Sequence, residues 1–285
     1  MAGSDHHLRL AVVGHVEWVD FARVARVPRP GEIVHAEAAW EEAAGGGAVA
    51  AVQLAALGAD TEFFTALGND ARGRAAAAQL DEQGVRLHAA WRDAPQRRAL
   101  TFLDRRAERT IAVIGDRHVP GGDDPLPWEA LDRVDAVYFT GGDAGALRAA
   151  RRARVLVATP RARGPLAQAG VQLDALVHSG VDRGERYEDG QIDPPPRLVV
   201  CTLGADGGRW TTADGASGGF RAAPPPGAPV DAYGCGDSFA AGLTFGLGRG
   251  DPVDEAVALA ARCGAACLTG RGPYRGQLRL GRDTA

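Results

Sequence analysis

Asp231-Ala232-Tyr233-Gly234-Cys235-Gly236-Asp237-Ser238-Phe239 is the stretch on which the reading of this chain turns. It follows a proline-rich run at 224–229 and leads into residues 240–247, which read as a helix. Gly234 and Gly236 free the backbone just before that helix begins. Neighbouring N–H groups can then converge on an anion, where the helix N-terminus adds positive potential. Asp237 sits among those donors. A carboxylate there repels a phosphate, so its chemistry points to taking a proton rather than binding phosphate. A base beside an N–H nest suits phosphoryl transfer from a nucleotide to a hydroxyl. A glycine-rich loop with Asp237 as a helix N-cap explains the same residues, and both readings stand on this segment alone.

Composition narrows the classes. The 285 residues are 45% hydrophobic and 24% charged, enough for one large α/β domain with a small appendage. A net charge of -4 gives no electrostatic case for nucleic acid. All 32 basic residues are arginine. Without lysine, a Walker P-loop, a protein-kinase site and Schiff-base catalysis are excluded. Cys201, Cys235, Cys263 and Cys267 are too sparse for a disulfide framework. The i, i+4 pair Cys263 and Cys267 reads as two small core residues on one helix face rather than a metal site. Residues 1–10 hold no apolar leader, and no apolar run reaches membrane-spanning length, so the expected compartment is the cytoplasm and no membrane partner is expected.

Outward from the motif, strands are expected at 8–14, 61–67, 136–139, 155–158, 175–177 and 198–202. Helices are expected at 48–57, 71–83, 144–151 and 256–268. This alternation predicts a doubly wound, mostly parallel sheet flanked by helices, with sites at the strand C-termini. Residues 28–40 and 91–115, including a hairpin around 104–108, do not fit the α/β rhythm and are read as a small β lid. The whole chain, 1–285, is read as one such domain carrying that lid.

Two motif matches fail on context. Gly45-Gly46-Gly47-Ala48-Val49-Ala50 fits a dinucleotide fingerprint, but residues 40–44 are a poor buried strand and no suitable acid follows about 20 positions on. Gly215-Ala216-Ser217-Gly218-Gly219 fits a nucleophile elbow but lacks the strand–turn–helix setting.

The segment 231–239 closely resembles the C-terminal signature of the ribokinase-like (PfkB) sugar kinase family, Asp-Thr-x-Gly-Ala-Gly-Asp-x-Phe, with Ala232 for Thr and Cys235 for Ala. Weaker landmarks follow in the family's order: Gly45-Gly46-Gly47 as the first signature, Gly68–Gly73, Glu108–Ile111 in the lid, and Thr202–Gly208. The resemblance implies that Asp237 is the catalytic base and that the amides of Gly234, Cys235 and Gly236 form the anion hole. It places Gly45, Gly46 and Gly47 at the sugar, with Asp20 as the preferred hydroxyl-binding acid and Glu17 nearby. Thr202, Gly204 and Gly207 would line the nucleotide site. Asp182 and Asp231 would serve metal ions. ATP and Mg²⁺ are the implied cofactors, with a monovalent cation near Asp231. The family's Asn-x-x-Glu becomes Ser179-Gly180-Val181-Asp182, and Ala50 replaces an Asn that would recognise the sugar. The expected activity is phosphorylation of a sugar or nucleoside by a homodimer joined through its lids, with Arg97, Arg98 and Arg109 as candidate charge stabilisers. The competing class is a non-catalytic sugar or nucleotide binder of the same fold. A third option is an enzyme acting on a phosphosugar, which needs a basic acceptor pocket.

Overall fold

The computed structural model describes residues 7–106 and 108–280. β1 (Arg9–Val13) is buried along almost its whole length and runs parallel to neighbours on both edges. Its alternation splits the core. Leu10 and Val12 join one apolar cluster, and Ala11 and Val13 join the other.

The chain continues through β2 (Glu17–Arg23), β3 (Ala38–Ala44), α1 (Gly46–Ala56), β4 (Asp60–Gly68), α2 (Ala71–Glu82) and β5 (Arg86–Arg92). It then forms β6 (Arg98–Leu103), β7 (Arg109–Ile114), β8 (Ala136–Phe139), α3 (Ala144–Ala150), β9 (Val155–Ala158), α4 (Arg163–Ala169) and β10 (Ala175–Ser179). Last come β11 (Leu198–Thr202), β12 (Gly208–Thr212), β13 (Ser217–Phe220), α5 (Cys235–Arg249) and α6 (Val253–Cys267).

A nine-stranded sheet runs in the order β13-β12-β11-β10-β9-β8-β1-β4-β5. It is parallel except at β12 and β13, which fold back as a hairpin on one edge. Residues of α1, α5 and α6 pack on the Leu10/Val12 face, and residues of α3 and α4 on the other. This is the doubly wound sheet expected from the alternation of elements.

The lid is a separate four-stranded sheet, β3-β2-β6-β7. Two of its strands lie where the expected hairpin placed them. The other two correct the expectation: residues 28–37 contain no strand, and the first lid strands are β2 and β3. Residues 40–44 are a strand after all, but at an edge of the small sheet rather than in the buried one, so no dinucleotide-type βα unit arises there. Val19, Phe21, Ala99 and Leu103 form the lid's inner apolar layer with Val49 and Tyr233. Phe21 stacks on Trp40, with ring centroids 5.0 Å apart. Ser217 lies in β13 and no helix follows it directly, which removes the nucleophile elbow. Cys263 is fully buried against α5, as a small core residue.

Candidate active site

The cleft lies where the parallel strands end and the lid begins. Gly234 caps α5 in a left-handed conformation (φ 82°), and a Cβ there would meet Val49 at 2.9 Å. The first amide to close a helical bond is Ser238, to the Gly234 carbonyl at 2.8 Å. The N–H groups of Cys235, Gly236 and Asp237 therefore have no helical acceptor. No side chain caps this terminus either. The N-cap alternative for Asp237 is thereby removed: Asp237 stands inside the first turn, and the cap is Gly234.

The Asp237 carboxylate turns towards the start of α1. A Cβ on Gly46 would sit 2.8 Å from Asp237 Oδ1 and 3.2 Å from the Thr140 hydroxyl. Burial pushes the Asp237 pKa up to about 6, against an opposing pull from Arg161. Its proton affinity thus lies close to the range useful to a general base at neutral pH. The α1 glycines let that helix start against the residues after β1. A Cβ on Gly47 would lie 2.8 Å from the His15 carbonyl oxygen.

On this side of the cleft, His15 and Glu17 are both buried. Glu17 pairs with Arg97 at 2.8 Å, and Arg117 Nη2 lies 2.7 Å from His15 Nδ1. Asp20 does not join them. Strand alternation places it on the face of β2 opposite Glu17, where it pairs with Arg98 at 2.7 Å. Arg98 is likewise directed away.

On the other side opens a cleft of ≈ 660 Å³. Thr202, Gly204 and Gly207 line it together with Cys235 and Gly236. Phe220 and Phe239, 5.7 Å apart, supply an apolar wall on which a flat ring can lie. Arg109 reaches in from the lid and donates to the Ala232 carbonyl at 2.6 Å. Arg161 approaches from the loop after β9 and pairs with Asp182 at 3.2 Å and with Glu185. The Asp182 carboxylate is half-exposed; its Oδ1 accepts the Gly184 amide at 2.8 Å. Ser179 Oγ accepts the Asp182 amide at 3.0 Å and so fixes this turn.

Asp231 is fully buried behind the loop rather than on the cleft surface. Its two oxygens accept the amides of Tyr233 (2.8 Å) and Gly272 (2.9 Å). Burial raises its pKa, and those amides oppose the rise. Among the described residues, no three His, Cys, Asp or Glu side chains cluster as a metal site. The donor chemistry at Asp182 suits Mg²⁺ held by one carboxylate, waters and nucleotide phosphates, since magnesium retains several waters.

His15, Thr140, Arg117, Arg161 and Glu185 escaped the sequence reading. Three of them had a positional signal: His15, Thr140 and Arg161 closely follow β1, β8 and β9, where open α/β sheets gather their sites.

A family model described as pfkB family carbohydrate kinase matches residues 7–174 and 191–278. An ATP-dependent ribose-1-phosphate kinase of Halopiger xanaduensis is 28% identical over 282 residues, covering 90% of this chain and 91% of that protein. Among solved structures, the Arabidopsis thaliana ribokinase complexed with ribose and ATP superposes with a TM-score of 0.74 at 20% identity, covering 96% of each chain. Ribokinase from Cryptococcus neoformans in complex with ADP gives 0.75 at 21% identity, covering 96% of this chain and 97% of that one.

Proposed function

Because the chain belongs to the pfkB family of carbohydrate kinases, we propose that it transfers the γ-phosphate of ATP to a hydroxyl of a sugar or nucleoside, with Asp237 as the general base. The observation that carries this reading is the Asp237 carboxylate set within an uncapped helix N-terminus, facing the start of α1. A protein that only bound sugar or nucleotide would have no need of a base inside an anion nest. ATP use draws on the ATP-dependent relative and on the ribokinases seen with ATP and ADP.

In this mechanism the adenine lies along Phe220 and Phe239, and the phosphates run towards the α5 terminus. Asp237 takes the hydroxyl proton as the oxygen attacks the γ-phosphorus. The new O–P bond forms as the bond to the β,γ-bridging oxygen breaks, and ADP leaves with that electron pair. The amides at 234–236 receive the charge that develops on the γ-phosphoryl oxygens. Arg161 and Arg109 add positive potential from either side. Asp182, steadied by Ser179, would help hold Mg²⁺, which would offset the negative charge of the nucleotide phosphates. Asp231 orders the turns on which a monovalent-cation site would depend. Glu17 replaces Asp20 as the acid facing the acceptor. Two copies joined through their lids are the proposed assembly.

The test is ADP release with Mg²⁺, ATP and a panel of sugars, sugar phosphates and nucleosides. Acceptor-dependent release supports the kinase. Saturable binding of sugar and ATP without release from any acceptor would favour the non-catalytic binder.

A further inference from the structure

Arg117 has a feature that the transfer step does not use. Its side chain is partly buried, with Nε closed off from solvent, and among the described residues it forms no ion pair with a carboxylate. The neighbouring arginines are matched: Arg97 has Glu17, and Arg161 has Asp182 and Glu185. Among the described residues the side-chain hydrogen-bond partner of Arg117 is the His15 ring at 2.7 Å, and its Nε has no partner. Burial first, then the charge of Arg97, depresses the Arg117 pKa against the pull of the Glu17 and Asp237 carboxylates, while burial, Arg117 and Arg97 together hold His15 well below its usual value. An imidazole, neutral or protonated, supplies no negative countercharge. A partly buried guanidinium with no ion pair, beside a second one, is costly to the free protein. An anion bound there would remove that cost.

Position says which molecule brings the anion. A Cβ on Gly141 would lie 3.8 Å from Arg117 Cζ, while the side chain of the preceding residue, Thr140, adjoins the Asp237 carboxylate across Gly46. The unmatched charge and the base thus flank consecutive residues at the end of β8. Asp237 is near enough to act on the Arg117 charge, as two groups that meet one sugar must be. Arg117 does not line the nucleotide cleft, so the phosphates of ATP are not its expected partner.

We propose that the acceptor is a sugar phosphate, whose phosphate is gripped by Arg117 with help from Arg97 while a hydroxyl on the same sugar faces Asp237. The planar fork of a guanidinium matches phosphate oxygens in pairs, which favours phosphate over a lone hydroxyl. The inference rests on the kinase reading and makes Arg117 the residue that sets acceptor choice.

The experiment uses the full chain with saturating Mg²⁺ and ATP. Ribose 1-phosphate, ribose 5-phosphate, ribose, a sugar acid and adenosine are compared as acceptors by ADP release. A phosphorylated sugar should exceed its uncharged parent in kcat/KM by about 10²-fold, and Arg117→Gln should remove most of that preference, chiefly by raising KM for the sugar phosphate. Arg117→Lys should restore part of it. Equal or better use of ribose, adenosine or the sugar acid would overturn the inference and leave the kinase standing. An unchanged preference in Arg117→Gln would overturn it too. Should no acceptor release ADP, calorimetry with ribose 1-phosphate and inorganic phosphate decides. Saturable binding of the sugar phosphate, weakened about tenfold or more in a normally melting Arg117→Gln, supports the site. Absence of binding, or binding indifferent to the substitution, overturns it.

Discussion

Gly46→Ala tests the base and its surroundings at once. Gly46 is the first residue of α1 and does not need a left-handed backbone. Alanine is favoured over glycine in helices by up to about 1 kcal/mol, so the fold should tolerate the change. The added Cβ would lie 2.8 Å from Asp237 Oδ1, about 0.6 Å inside the 3.4 Å where ordinary contact begins. It would also press on the Thr140 hydroxyl at 3.2 Å, which limits the directions open to relief. The carboxylate must shift or turn. Proton transfer needs a heavy-atom separation of about 2.6–3.2 Å, and a misplacement near 1 Å costs about 10²-fold. We expect kcat to fall by about 10- to 10²-fold, or about 1.4–2.7 kcal/mol in the barrier. The melting temperature should hold or rise slightly. Steady-state ADP release and thermal unfolding give both numbers. A kcat within about twofold of wild type would refute the reasoning. So would a kcat loss that merely tracked a large fall in melting temperature.

Other outcomes are expected. Gln96 is buried, donates to the Val16 carbonyl at 2.8 Å and accepts the Gly68 amide at 2.9 Å, so it ties the start of the lid to the end of β4. Gln96→Ala leaves both backbone groups unpaired and should cost about 2–4 kcal/mol in urea unfolding; a loss under about 0.5 kcal/mol would contradict that. Asp182→Ala should raise the Mg²⁺ needed for half-maximal activity, on the order of tenfold, whereas an unchanged titration would leave Asp182 a surface acid. Ile111 and Val113 are exposed on one face of β7, an edge strand of the lid. We expect lid-to-lid dimers in light scattering and monomers from Ile111→Glu/Val113→Glu; a wild-type monomer at micromolar concentration would refute this.

The large sheet was legible because its strands are short apolar runs between turn signals, as at 136–139 and 198–202, and β1 is buried on both faces. The lid was only half legible. Residues 38–44 are alanine and glutamate around one tryptophan, a composition that favours helix, and they form a strand because β2 offers a partner. β2 itself follows β1 with no glycine–proline turn to announce it. Hairpin residues 98–114 carry alternating apolar positions and a polar turn, so they could be read directly. In the cleft, the α5 terminus was readable because its glycines and Asp237 are contiguous. Arg117, Arg161 and His15 come from three separate segments, and no spacing in the chain foretells that β8 lies beside β1 and β9 beside β8. Asp20 and Glu17 were separable only by the pleat of β2, which turns one towards Arg98 and the other towards Arg97.

The central claim is that Asp237 is the base, and the pH dependence of kcat/KM in wild type and Asp237→Asn tests it most directly. Burial raises the Asp237 pKa from the usual carboxylate value to about 6. A base works only when ionised, so wild-type activity should climb with pH through about 6 and level off above it. Asp237→Asn keeps the shape but cannot accept the proton. Its turnover should fall by at least about 10²-fold and lose that rising limb, with ATP affinity little changed. Near-normal turnover of the best acceptor by Asp237→Asn, or the same rising limb in both proteins, would contradict the account.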